Sequence, residues 1–193
     1  MRRTKGLSFY RRRKKINAAV LSEVMQVLAG CAIAVFLAVA LVYFVGTRTA
    51  VVGESMQPAV YNGQSVLINR FAYKLGRPRA GDVVVFLPNG NPNAHYYVKR
   101  VVGCPGDTVL IRDGHLYVNG ELVGEDTYDL ISEAGIAENG IRLGEDEYFV
   151  MGDNCNSSED SRSGNIGPVS GEHIVGEAWF RLPSGSHDMG LIR

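Results

Sequence analysis

The sequence predicts a mainly β fold: one N-terminal transmembrane helix, then an antiparallel β-sheet domain with partly closed sheets and a small β appendage. Three observations predict it. Residues 27–46 read VLAGCAIAVFLAVALVYFVG, a run without a charge. Beyond residue 50, short apolar runs alternate with turn dipeptides, the texture of an all-β chain. No 3.6-residue periodicity is sustained there.

The chain opens on a basic segment. Arg2, Arg3, Lys5, Arg11, Arg12, Arg13, Lys14 and Lys15 precede residue 16 with no acid among them. Net charge is zero over the 193 residues, yet from Gly46 onward 12 Lys+Arg face 19 Asp+Glu, a net of −7. Such a split places a polyanionic surface beside the N-terminus. Nucleic acid and a membrane both qualify, and the next segment selects membrane lipid; no nucleic-acid partner is expected. A helix over 27–46 spans about 30 Å, the thickness of the hydrocarbon core of a bilayer. A buried soluble helix would carry a polar stripe, and this run has none. Ser22, Glu23 and Gln26 sit just before it, and Tyr43 and Phe44 mark its far end as interfacial aromatics. The run exceeds the apolar core of a cleaved secretory signal, roughly 7–15 residues, so an uncleaved anchor is expected. The excess of positive charge before it puts the N-terminus in the cytoplasm. The expected division is a basic cytoplasmic tail over 1–15, an anchor helix over 16–46 and an extracytoplasmic β domain over 47–182. A small β region is inserted at 108–147, and a frayed tail closes the chain over 183–193.

Strands are expected at 65–68, 83–86, 96–102, 108–112, 115–118 and 148–151. Asn62-Gly63, Asn89-Gly90, Asp113-Gly114, Asn119-Gly120 and Asn139-Gly140 supply the turn signals between them. Asp113-Gly114 lies inside 111–118, which reads as a hairpin. Residues 125–147 are acidic and weakly patterned, an excursion between strands.

Several chemistries are excluded by pattern. The chain has three cysteines, Cys31, Cys104 and Cys155, too few for a disulfide scaffold or a four-cysteine zinc site. It lacks a GxxxxGK[ST] phosphate loop, an HExxH helix and a G-x-S-x-G elbow. His95, His115, His173 and His187 are scattered. The loop from Asp153 to Ser157 looks like a calcium loop but puts Cys155 at a ligand position and lacks the sixth-position glycine. No metal and no cofactor are expected.

Four stretches remain, and each alone has a plain structural reading. Gly53-Glu54-Ser55-Met56-Gln57-Pro58 is a turn that could expose a hydroxyl. Gly81-Asp82-Val83-Val84-Val85-Phe86 is a buried strand. In Tyr97-Val98-Lys99-Arg100-Val101-Val102-Gly103-Cys104-Pro105-Gly106-Asp107, period 2 sets Lys99 and Arg100 on opposite faces. A lysine there is either half-exposed or, if buried, in need of a partner or a lost proton. Gly152-Asp153-Asn154-Cys155-Asn156-Ser157-Ser158-Glu159-Asp160-Ser161-Arg162 is a polar loop after a strand.

In this order, behind an anchor, the four stretches resemble a type I signal peptidase, the membrane-bound Ser/Lys endopeptidase that releases signal peptides. The similarity runs over residues 16–182, and one anchor with a short insert resembles the smaller, Gram-positive-like form. The resemblance implies Ser55 as nucleophile and Lys99 as general base. It implies Ser158 as the serine that orients the amine, Asp160 as an acidic partner and Arg162 as that acid's basic partner. Val52, Met56, Tyr97 and Val98 fall on or beside positions lining the substrate groove. The implied substrates are signal-peptide-bearing precursors, cut after small residues at the outer face of the cytoplasmic membrane. Some members carry a serine two positions before the nucleophile as a second oxyanion donor. Here that position is Gly53, so the donor must be a backbone group or water. Cys104 and Cys155 lie in two stretches that the resemblance brings to one site, which makes them a candidate disulfide pair outside the cytoplasm. Rival readings are a self-cleaving repressor-type Ser/Lys peptidase, a cysteine transpeptidase using Cys104 or Cys155, and an inert extracellular module on a membrane stalk.

Overall fold

A computed structural model of the chain describes residues 18–45, 47–124 and 128–192. The basic tail over 1–15 lies outside them. The chain divides into two compact units, one up to Ala40 and one from Leu41 onward. Residues 18–40 of helix α1 (Ala18–Val45) make up the described part of the first, and the last residues of the helix fall in the second. Its stretch Ala19–Tyr43 has a mean hydropathy of 2.5 with no part buried, so it is long and apolar enough to cross a membrane. At 1.5 Å per residue, these 25 residues reach about 38 Å. The helix begins earlier than the uncharged run and takes in Ser22, Glu23 and Gln26. The Ser22 hydroxyl donates to the Ala19 carbonyl at 2.8 Å, which satisfies it within the helix.

The second unit is built of β1 (Thr47–Ala50), β2 (Ser65–Asn69), the one-turn helix α2 (Ala72–Leu75), β3 (Val83–Phe86), β4 (Tyr97–Gly103), β5 (Thr108–Arg112), β6 (His115–Val118), β7 (Glu121–Val123), β8 (Ile141–Arg142), β9 (Glu147–Met151), β10 (Val169–Ser170), β11 (Ile174–Arg181) and β12 (Gly190–Leu191). One sheet runs β1-β2-β11-β3-β4-β9-β10, with β12 added beside β11, and a smaller one runs β7-β6-β5-β8. All pairings are antiparallel, as the fold class predicts. Residues of β1 and β4 line the same cleft although β2, β11 and β3 separate them, so the large sheet curls.

Sequence explains the hairpins directly. Asp113-Gly114 has φ of 52° and 77°, and Asn119-Gly120 has 54° and 85°. Two consecutive positive φ values define the type I′ turn, whose twist matches that of the strands it joins. These turns fix the β5–β6 and β6–β7 registers.

Three hydrophobic clusters form the core. One holds Val51, Met56, Val60 and Val98, with Val83 and Val85 from β3. The second holds Val101, Tyr148 and Val150, with Val84 and Phe86 from β3. The third packs the small sheet through Val109, Ile111 and Leu116 against Val102, Phe149 and Met151. Strand β3 is thus buried on both faces, which is why its sequence is continuously apolar. Strand β4 contributes to all three clusters through Val98, Val101 and Val102.

Two expectations are corrected. Residues 183–192 are not frayed: β12 pairs with β11 at Phe180↔Leu191, and Ile192 packs on the cluster containing Val51 and Met56. The eight-residue β11, joining β2 to β3, was not among the expected strands. Its period is broken by Gly176 and Glu177. Gly176 is needed because a Cβ there would lie 2.6 Å from the Asn69 carbonyl oxygen on β2.

Phe86 is fully buried between sheet neighbours. Phe86→Ala should lower stability by about 3–5 kcal/mol, read from denaturant unfolding in detergent.

Candidate active site

Ser55 sits on the turn between β1 and β2. The turn is tightened by Gln57 N–H donating to the Glu54 carbonyl (3.1 Å) and Val60 N–H to the Met56 carbonyl (2.8 Å). Gly53 enters it at φ 96°, a conformation that suits glycine, and its N–H donates to Asn62 Oδ1 at 3.0 Å. Among the described residues the Ser55 N–H donates to no protein acceptor.

Lys99 comes from the middle of β4, in register with Val84 of β3. It is buried at 5% exposure, so of its two sequence readings the buried one holds. Its Nζ lies 2.6 Å from Ser55 Oγ. Burial pulls the Lys99 amine down from its usual 10.5 to about 8. Asp160 opposes that shift, Arg162 adds to it, and Glu159 and Asp153 oppose it more weakly. A cleft of about 600 Å³ opens over the pair, lined by Val52, Ser55, Tyr97, Val98, Lys99 and Glu159 among others.

The loop after β9 clasps the Ser55 turn. Asn154 N–H donates to the Ser55 carbonyl at 3.0 Å, and Asn154 Nδ2 donates to the Glu54 carbonyl at 3.3 Å. Asp160, 1% exposed, accepts from the Ser158 hydroxyl (2.7 Å), the Gly152 N–H (3.1 Å) and the Arg162 guanidinium (2.8 and 2.9 Å). Arg162 also donates to the carbonyls of Glu133, at 3.2 Å, and Cys155. A second ion pair, with Asp153 buried and Arg100 partly buried, was not foreseen: Arg100 donates twice to Asp153, at 2.7 Å each, and once to the Gly81 carbonyl at 2.8 Å. The signal was present, since period 2 sends Arg100 to the face opposite Lys99 and an arginine drawn partly out of solvent requires a carboxylate. Gly152 was also missed; a Cβ there would collide with Ser158 Oγ and the Ser55 carbonyl oxygen.

Three expected features differ. The Ser158 hydroxyl bonds to Asp160 and receives no hydrogen bond from Lys99, whose amine is turned to Ser55. Met56 does not reach the cleft: it is fully buried in the core beneath the turn, while Val52, 86% exposed, is among the residues lining the cleft. Cys104 and Cys155 are free thiols, not a disulfide. They pack on different clusters, with Cys104 Sγ 3.9 Å from the Pro78 carbonyl oxygen and Cys155 Sγ 3.6 Å from that of Asp129. Burial pushes both thiols upward, which disfavours the thiolate a cysteine nucleophile needs.

A β scaffold presenting a serine hydroxyl to a poorly solvated lysine amine defines a class, the Ser/Lys hydrolases. A family profile described as signal peptidase, peptidase S26, matches residues 24–182, and the chain belongs to that family. Signal peptidase I T of Bacillus subtilis (strain 168) is 35% identical over 156 residues, covering 77% of this chain and 79% of that one. Signal peptidase I P of Bacillus subtilis subsp. natto is 36% identical over 155 residues, covering 74% and 82%. A crystal structure of a signal peptidase I from Enterococcus faecalis V583 aligns over 52% of this chain and 96% of that one, at 30% identity and a TM-score of 0.43. The family makes the chain a serine endopeptidase of the type I signal peptidase kind, and with the apolar helix it indicates membrane anchoring.

Gly152→Ala should separate the loop from the Ser55 turn. Precursor cleavage is expected to fall at least about tenfold while the protein still unfolds cooperatively, checked by kinetics beside thermal melting.

Proposed function

We propose that Ser55 and Lys99 are the catalytic dyad and that they cleave signal peptides from translocated precursors at the outer face of the cytoplasmic membrane. The observation that carries this reading is the 2.6 Å approach of Lys99 Nζ to Ser55 Oγ at a site where the amine is buried. An ordinary lysine is protonated at neutral pH and cannot act as a base. With its value near 8, a useful fraction of Lys99 is neutral at working pH. The neutral amine takes the Ser55 proton as Oγ attacks the scissile carbonyl. The unengaged Ser55 N–H is available to donate to the oxyanion that forms, whereas the Gly53 N–H is committed to Asn62. The resulting ammonium returns the proton to the leaving amine, and the peptide departs. Lys99 then deprotonates a water, which hydrolyses the acyl–Ser55 ester.

Asp160 and Arg162 hold the loop against the Ser55 turn and set the electrostatic background of the amine. An extended substrate fits a cleft flanked by β1, the end strand of its sheet, where a backbone can be bonded. Val52, Tyr97 and Val98 supply an apolar wall for small side chains. The charge excess before the anchor supports a single pass, with the N-terminus in the cytoplasm and residues 47–182 outside. Membrane lipid is then the second partner, and covalent attachment to the anchor concentrates membrane-inserted substrate around the site.

Purified protein in detergent or lipid should cut a precursor in trans. Ser55→Ala and Lys99→Ala should each lose about 10³-fold or more; retention of activity by both would sink the assignment. The rate should rise with pH through a midpoint near 8, because the free amine is the active form. Asp160 favours the ammonium, so Asp160→Asn should move that midpoint to lower pH, checked by a kcat/KM profile.

A further inference from the structure

We propose that residues 183–192 form a strap which, through Gln64, positions the loop bearing Ser55; the proposal rests on Ser55 being the nucleophile. The strap lies beyond the part of the chain that the family profile matches.

The loop over 51–64 is closed at its base by two backbone bonds, Val51 N–H to the Gln64 carbonyl and Gly63 N–H to the Val51 carbonyl, both 2.8 Å. Ser55 sits within this closed loop and inherits its position. At the closure, the Gln64 side chain is wholly buried. Its Oε1 accepts the Tyr61 N–H at 2.8 Å, inside the loop. Its Nε2 donates to the carbonyls of Leu182 (3.2 Å) and Asp188 (3.4 Å), outside it. An amide nitrogen has two donors; here one serves Leu182, which immediately precedes the strap, and the other Asp188 within it, so a single side chain ties the loop to the strap and its root.

Other contacts repeat the tie. The Tyr61 and His187 rings stack at 3.8 Å, 7° from parallel. The adjoining β11 adds a contact of its own, Arg181 Nη1 donating to the Ala59 carbonyl at 2.6 Å. Ile192 packs on the cluster that includes Val51, Met56 and Val60, anchored by its N–H to the Trp179 carbonyl at 3.0 Å. The Ser55 turn is therefore gripped from two sides, by the loop after β9 and by this strap. The dyad needs its atoms within a fraction of an ångström of the reactive geometry, and a displacement of about 1 Å costs about 100-fold in rate. A strap acting on the nucleophile's loop should therefore show in kcat.

The test replaces one atom. Gln64→Glu keeps the acceptor for Tyr61 but sets a carboxylate oxygen against two carbonyl oxygens, which expels the strap. In full-length protein the expected result is a kcat lowered about 10- to 100-fold with KM held within about threefold. Amide exchange at Val51 and Gly63 should quicken, with cooperative melting retained. Unchanged kcat despite loss of protection at Leu191 overturns the proposal, as does a raised KM with kcat intact. If Gln64→Glu does not fold, His187→Ala combined with Ile192→Ala decides: lowered kcat supports the strap, and unchanged kcat removes it. Should the wild type itself cut no precursor, the functional reading fails, and exchange at Val51 and Gly63 alone then decides whether the strap fixes the loop.

Discussion

Keeping the Lys99 amine dry is unfavourable for the folded chain, and much of the second unit is arranged around that penalty. Burial disfavours the ammonium and is the largest contribution to the lowered pKa. The strand that carries Lys99 lies between β3, apolar on both faces, and β9, and the side chain is 5% exposed at the floor of the cleft. A bare carboxylate nearby would undo the effect by stabilising the charged form. Asp160 is such a carboxylate, and Arg162 answers it with a two-pronged grip that leaves little net charge beside the amine. The amine is buried but not committed to an anion, the state a base requires.

Two arginine–aspartate pairs, one buried and one partly buried, frame this arrangement. Arg100–Asp153 ties β4 to the start of the loop after β9, and Arg162–Asp160 closes its far end. Buried ion pairs contribute little net stability relative to apolar packing, yet breaking one leaves an uncompensated charge. Their value here is geometric: they hold Asn154 against the Ser55 carbonyl and Gly152 against Ser158.

Much of this was legible in the sequence, for physical reasons that differ by element. Strand β3 could be read from its unbroken apolar run, and the β5–β6 hairpin from Asp113-Gly114, because few other dipeptides accept two positive φ values. The juxtaposition of Ser55 and Lys99 followed from motif order through the family resemblance; periodicity alone left Lys99 undecided. Strand β11 was illegible because its pairing depends on a glycine accommodating a neighbouring backbone, a tertiary fact. Met56 misled because adjacency to Ser55 in sequence says nothing about which way a turn points its side chains. The cysteines misled similarly: their stretches converge, but each thiol is absorbed by a separate cluster. The last residues looked frayed because they follow Pro183-Ser184-Gly185-Ser186, whereas they are attached by the pairing of β12 with β11, by Ile192 and by one distant glutamine.

Strand β1 ends its sheet with one side unpaired among the described residues. An open row of peptide groups can pair with any extended chain, including a misfolded neighbour or a twin molecule. Such edges seed aggregation unless they are short or charged. Here the edge is four residues long and carries Arg48. That brevity and charge guard the edge, and lengthening or neutralising it would expose the molecule to edge-to-edge association.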